Sequence, residues 1–148
     1  MIRRRGIIIT EDDMARLKEL VRQGRLTSRR DQDHLEDLEQ ELEHAEVVPA
    51  REVTHDVVTL NSTVRVLDMD TGRSMVYTVV SPPEANLADN RISVLAPIGT
   101  ALIGYRVGDV IDWTTPGRTR RLRIEAVLFQ PEASRAEEPV LIPAGRAG

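Results

Sequence analysis

Apolar positions fall into two periodic regimes that meet near residue 50. In the first, Met14, Leu17, Val21 and Gly24 recur at steps of three and four, which predicts an amphipathic helix. Thr10 offers an N-cap and Asp13 an acidic group in the first turn. Gly24 is read as the stop of that helix, and Thr27 or Ser28 as the cap of a second. The second helix carries Leu35, Leu38, Leu42 and Ala45 in a narrow stripe. Stripes this narrow need a partner, and the short connection makes the two helices antiparallel. The expected hairpin has its tip at Arg25 to Asp33 and is closed by Pro49. At ~1.5 Å per residue, an arm of roughly 14 to 18 residues reaches only about 20 to 27 Å.

From Val53 the pattern changes to short β-branched runs between turn signals. Val64-Arg65-Val66 and Val76-Tyr77-Thr78-Val79-Val80 flank an Asp70-Thr71-Gly72 turn, which predicts a hairpin. Ile92-Ser93-Val94 is a further strand, Pro97 to Gly104 holds a short helix, and Gly108-Asp109 turns into Val110 to Trp113. After a turn at Thr115-Pro116-Gly117, the last strand is expected to place Leu122, Ile124, Ala126 and Leu128 inward. The expected class is α+β: a helical hairpin over residues 1–50, a mostly antiparallel sheet with one short helix over 51–135, and a loose tail over 136–148.

The chain has 148 residues, of which 41% are hydrophobic and 30% charged. That suits one principal core. No apolar run is long enough for a membrane span, and the three isoleucines after Arg3-Arg4-Arg5 are too few for a signal peptide. The absence of cysteine removes disulfides and thiolate metal sites, compatible with a reducing cytoplasm. A net charge of -4 argues against nonspecific nucleic-acid binding as the main role, leaving at most a weak DNA contact. Charge is segregated: eight acids and no Lys or Arg lie between Asp31 and Glu46, just after Arg22, Arg25, Arg29 and Arg30. The three histidines are read as surface residues, and no nucleophile, phosphate-cradling or zinc motif occurs. No catalytic residue, metal site or cofactor is expected.

Several separated segments point to one family. They are Asn61-Ser62-Thr63-Val64, Thr71-Gly72, Glu84-Ala85, Ile92-Ser93, Pro97-Ile98-Gly99 through Gly104, Val107-Gly108-Asp109 and Pro116-Gly117. In this order they resemble the C-terminal half of the Gre transcription factors. His55 to Ser62 and Gln130-Pro131-Glu132-Ala133 are similar to the subgroup of regulators of nucleoside diphosphate kinase. The resemblance covers about residues 7–135. It implies a short antiparallel coiled coil followed by an FKBP-like sheet domain, with bacterial RNA polymerase as partner and no direct sequence-specific nucleic-acid binding.

In that family the coil enters the polymerase secondary channel while the sheet domain grips the rim. The resemblance assigns the rim contact to Ser93, Pro97 and Ile98, although Pro97 equally suits the first turn of a helix. Arg25, Arg29, Arg30, Asp31 and Asp33 form the tip. Asp31 and Asp33 could approach a cation or could simply complement a helix dipole. An arm this short implies a nonenzymatic regulator that occupies the channel and competes with cleavage factors. An active transcript-cleavage factor is the alternative, and a free-standing prolyl isomerase or chaperone a further one. The last would need an aromatic pocket, for which only Tyr77, Tyr105, Trp113 and Phe129 are available.

Overall fold

The computed structural model describes residues 6–27, 32–115 and 117–137. The element order is β1 (Ile8–Thr10), α1 (Glu11–Thr27), α2 (Gln32–Glu43), β2 (Glu46–Val48), β3 (Thr63–Asp68), β4 (Ser74–Val80), β5 (Arg91–Ser93), α3 (Pro97–Leu102), β6 (Val110–Thr115), β7 (Arg118–Phe129) and α4 (Pro131–Glu137). Arg29, Arg30, Asp31 and Pro116 lie outside the described residues, as do the side chain of Asp33 and the tail from residue 138. Among the described residues no helix is long and apolar enough to cross a membrane.

Thr10 caps α1 as its position suggests, its hydroxyl accepting from the Asp13 amide at 3.1 Å. Gly24 does not end the helix, which continues to Thr27. A Cβ at Gly24 would stand 3.1 Å from Leu35 of α2 and 3.5 Å from Leu95. The glycine therefore serves close packing between helices, and its sequence signal was a spacing rather than a stop. Two elements were not legible. β1 and β2, three residues each, pair in parallel with Ile9 opposite Val47, and so join the entry of α1 to the exit of α2. That pairing fixes the two helices as antiparallel.

The second sheet has the order β5-β4-β3-β7-β6. Its β4–β5 pair is parallel and the other pairs are antiparallel, so the expected antiparallel character holds except at one edge. The β3–β4 turn is built by Asp68, whose carboxylate accepts from the amides of Asp70 and Thr71. Helix α3 connects the two edge strands and touches β4, β5 and β6.

The expected alternation of β7 fails halfway. Val64 pairs with Val127 and Val66 with Ile124, with register shifts on both sides of the Val64–Arg65 pair. Each bulge inserts one unpaired residue and reverses the inward parity. Val127 rather than Leu128 therefore packs against the core, and Leu128 is 51% exposed.

One buried cluster runs through both regions. Leu17, Leu20 and Val21 of α1 and Leu38 and Leu42 of α2 belong to the same cluster as Leu102 of α3 and Val64, Val66, Leu122 and Ile124 of the sheet. The boundary near residue 50 is thus a change of texture through which the core continues.

Gly104 holds this junction. Its carbonyl accepts from Ile8 at 3.0 Å and its amide donates to Val58 at 2.8 Å. It has φ +85°, and a Cβ there would fall 2.5 Å from the Cβ of Ile7. Gly72 has a similar φ of +79° with open space around it. Gly104→Ala is predicted to cost more than about 2 kcal/mol, combining left-handed strain with overpacking. Gly72→Ala should cost only the strain of about 1 to 2 kcal/mol. Equal urea midpoints for the two variants would contradict the assigned role of Gly104.

Candidate functional site: the β5–α3 face

Strand β5 ends at Ser93, and the chain turns immediately into α3. The Ser93 hydroxyl accepts from the Leu95 amide at 3.0 Å, and its carbonyl accepts from Ala96 at 3.0 Å. Ala96 is the N-cap residue in extended conformation, and Pro97 is the first helical residue, where its fixed φ suits the helix. Thr100 ties the helix back to the loop by donating to the Val94 carbonyl at 2.9 Å. Gly99 permits this closeness, since a Cβ there would fall 2.1 Å from the Ser93 carbonyl oxygen.

Of the three residues expected at the rim contact, Pro97 is exposed and Ser93 half-buried, both on this loop. Ile98 is 9% exposed and belongs to the core cluster. Its side chain supports the loop from beneath.

The helical hairpin lies beside this loop, with Gly24 of α1 close to Leu95 and α2 touching α3. Arg25, at the described end of the hairpin, pairs with Glu39 of α2. The acids of α2, which lack i+4 cations of their own, thus draw partners from other elements. Glu41 likewise accepts from the Tyr105 hydroxyl at 3.0 Å.

Between α2, α3 and β6 opens a cleft of about 380 Å3 whose walls include Asp37, Glu41, Pro97, Tyr105, Asp112 and Trp113. Arg120 lies over the Trp113 ring, 5.8 Å from its centroid, and is paired with the buried carboxylate of Asp68 at 3.1 Å. Of the four aromatic residues only Tyr105 and Trp113 meet here. Phe129 is 47% exposed. Among the described residues no group of three or more His, Asp or Glu is placed to hold a metal ion. His44 and His55 are exposed, as expected.

A buried polar junction lies where α1, the 54–62 segment and α4 meet. Thr59 donates to Glu132 at 2.7 Å and shares a 2.8 Å hydrogen bond with Ser62. Gln130 donates to the carbonyls of Thr54 and Val57, both at 2.8 Å. The Asp13 carboxylate accepts from the Leu60 amide at 3.0 Å. Burial pushes the Asp13 carboxyl up to about 6, with the nearby Glu132 charge adding to the rise and the Leu60 amide opposing it. The two segments His55 to Ser62 and Gln130 to Ala133 therefore meet in space, with the Gln130 amide nitrogen and the Glu132 carboxylate bonded across the contact and the buried Gln130 Oε1 left without a partner among the described residues. Their spacing gave no sign of this contact, nor that Pro131 begins a helix.

Comparison with known proteins sets these features in a family. Residues 53–129 match the family described as "Transcription elongation factor, GreA/GreB, C-term", and residues 5–48 match that described as "Rnk N-terminus". The chain belongs to the GreA/GreB family. Within it, the chain is 40% identical over 98 residues to the "Regulator of nucleoside diphosphate kinase" of Escherichia coli, covering 66% of this chain and 72% of that one. It is 39% identical over 95 residues to the "Transcription elongation factor GreA" of Rhodospirillum rubrum, covering 64% of this chain and 60% of that one. A solved structure, the prokaryotic transcription elongation factor GreA/GreB from Nitrosomonas europaea, superposes with a TM-score of 0.70 at 37% identity. It covers 85% of this chain and all of that one. The α+β architecture of this Gre-family chain, with an N-terminal helical region before the sheet, is that of its relative.

The polar junction gives a pH prediction. Because the folded state raises the Asp13 pKa from 3.8 to about 6, the stabilisation it provides is complete below about pH 4. That stabilisation is lost as the pH rises through 6. Asp13→Asn keeps an acceptor for Leu60 and removes the buried charge. The variant is expected to match the parent at pH 4 and to exceed it at pH 8 by up to about 3 kcal/mol. Urea denaturation at the two pH values measures the difference, and a variant weaker than the parent at pH 8 would contradict it.

Proposed function

We propose that this chain is a nonenzymatic regulator of transcription elongation that docks on bacterial RNA polymerase in the cytoplasm. It occupies the secondary channel and competes with Gre cleavage factors without stimulating cleavage. In this reading α1 and α2 form a short antiparallel coiled coil, and β3 to β7 with α3 form an FKBP-like domain that holds the polymerase rim through the Ser93–Pro97 loop. Ile98 acts from within the core by fixing that loop.

The observation that carries the reading is the placement of the hairpin. At 17 residues α1 extends about 26 Å, and its apolar stripe is buried in the cluster shared with α3 and the sheet. An arm that lies against its own body from Leu17 to Val21, with Gly24 still close to Leu95, has only its last turn left to project beyond that contact. Catalysis is intolerant of misplacement, since an error of even ~1 Å can cost about a hundredfold in rate. Tip carboxylates held back by many times that distance would fill space without assisting chemistry at the polymerase centre.

Two measurements test the proposal. Saturating protein added to stalled elongation complexes with end-labelled RNA is expected to leave transcript length unchanged, and to slow shortening by an added cleavage factor. Rapid shortening by this protein alone would instead make it a cleavage factor and Asp31 and Asp33 its working groups. Pro97→Asp, on an exposed position, is expected to weaken binding to core polymerase more than ten-fold, because a carboxylate buried unpaired at a contact is costly. Asp31→Ala with Asp33→Ala should weaken it less than three-fold. The opposite ranking would move the docking surface to the tip.

A further inference from the structure

The helical hairpin is fixed to the rest of the chain at two levels. At its base β1 pairs with β2, and Ile8 donates to the Gly104 carbonyl. Near its far end a second contact brings three elements to one point. A Cβ at Gly24, close to the end of α1 at Thr27, would stand 3.1 Å from Leu35 of α2 and 3.5 Å from the Cδ1 of Leu95. Leu35 is buried, and Leu95 is half-buried and packed against the core cluster. Leu95 belongs to the Ser93–Pro97 loop, whose backbone is held on both sides of it. The Val94 amide donates to Val80 at 2.7 Å and its carbonyl accepts from Thr100 at 2.9 Å. The Leu95 amide donates to the Ser93 hydroxyl and the Ala96 amide to the Ser93 carbonyl, both at 3.0 Å. These bonds close the loop without the hairpin, so the reach of Leu95 to α1 is an additional tie.

We propose that Leu95 is a positioning residue that locks the Ser93–Pro97 loop to the far end of the helical hairpin, so that loop and hairpin meet a partner as one surface. Gly24 lies about 21 Å along α1 from Thr10, and at that radius a hairpin tilt of roughly 3° moves it by about 1 Å. A gap of about 0.5 to 1 Å forfeits roughly a quarter to a half of a dispersion contact. Contact at Leu95 therefore responds to hairpin tilt more steeply than the pairing at the base. The exposed Pro97 follows Leu95 at two residues, so this one side chain sets where the exposed part of the loop stands relative to the hairpin. That the partner is the polymerase rests on the function proposed above, whereas the lock is a property of the chain alone.

The lock is read in the purified full chain by native-state hydrogen exchange at the Leu95 and Ala96 amides, whose acceptors both belong to Ser93. Their protection reports local opening of the loop. Relative to the amides of β3, Leu95→Ala is expected to lower it at least ten-fold, and Leu95→Met, which keeps the volume, less than three-fold. Leu35→Ala, on the hairpin side, should lower the same protection at least five-fold in the parent and less than two-fold when Leu95→Ala has already cut the tie. If Leu35→Ala does not melt cooperatively, Leu35→Val makes the same comparison. The proposal is overturned if the Leu35 variant leaves the loop amides as in the parent, if its factor is the same in both backgrounds, or if Leu95→Met equals Leu95→Ala. Against core polymerase, Leu35→Ala, Leu95→Ala and the double variant should each bind at least ten-fold weaker than the parent, and to within two-fold of one another. Leu35 is 1% exposed, so its loss acts through the loop and not by direct contact. A double variant weakened by the product of the two single factors would overturn the joint surface. Coupled exchange in a chain that does not bind polymerase would uphold the lock and refute the polymerase reading alone.

Discussion

The structure depends on one seam, the apolar contact by which the helical hairpin closes the core of the sheet domain. Two helices of 17 and 12 residues are marginal in water, because helix stability in proteins comes mainly from burial of an amphipathic face. Here Leu17, Leu20, Val21, Leu38 and Leu42 are all buried in one cluster with α3 and the sheet. Each such side chain contributes about 1.5 to 3 kcal/mol, a sum comparable to the whole stability of an ordinary domain. The orientation of the hairpin is therefore set by the same interaction that makes it fold. The β1–β2 pairing and the hydrogen bonds through Gly104 reinforce that orientation where the helices enter and leave.

The sequence made visible those elements whose own period decides them. α1 with its Thr10 cap, the Leu35-Leu38-Leu42 stripe, the β3–β4 hairpin and α3 all follow local patterns, and the structure contains each of them. What escaped were features decided by distant partners. Ile8 to Thr10 is too short to read as a strand, and forms one because Glu46 to Val48 and Gly104 lie beside it. Gly24 carries the same local signal whether it ends a helix or makes room for Leu35. Leu128 faces outward because of bulges opposite β3, and no alternation within β7 itself could reveal a shift of register.

The candidate site divides in the same way. Pro97 at the start of a helix after an extended residue was legible as a position, since both its φ and its missing amide suit that place. The orientation of the next residue was not. Ile98 turns into the core because the close approach at Gly99 fixes the rotation of α3 against β5. A motif of adjacent residues thus splits into one group available for contact and one that holds it. The same holds for Gln130 and Glu132, whose hydrogen bonds to Thr54, Val57 and Thr59 span more than seventy residues.

Electrostatics completes the argument about what the hairpin does. Eight acids between Asp31 and Glu46 with no Lys or Arg among them would disfavour an isolated helix through like-charge repulsion at i and i+4. In the folded chain the repulsion is partly answered from outside α2, by Arg25 at Glu39 and by Tyr105 at Glu41. Both contacts bind α2 to its surroundings, so charge and apolar burial press the helix in the same direction. An exposed pair such as Arg25–Glu39 is worth at most about 1 kcal/mol, too little to orient a helix against the seam but enough to favour the orientation the seam sets. The acidic run is then best understood as a surface kept polar along a helix whose opposite face is buried. Asp37 and Glu41 of that surface border the cleft together with Asp112 of β6.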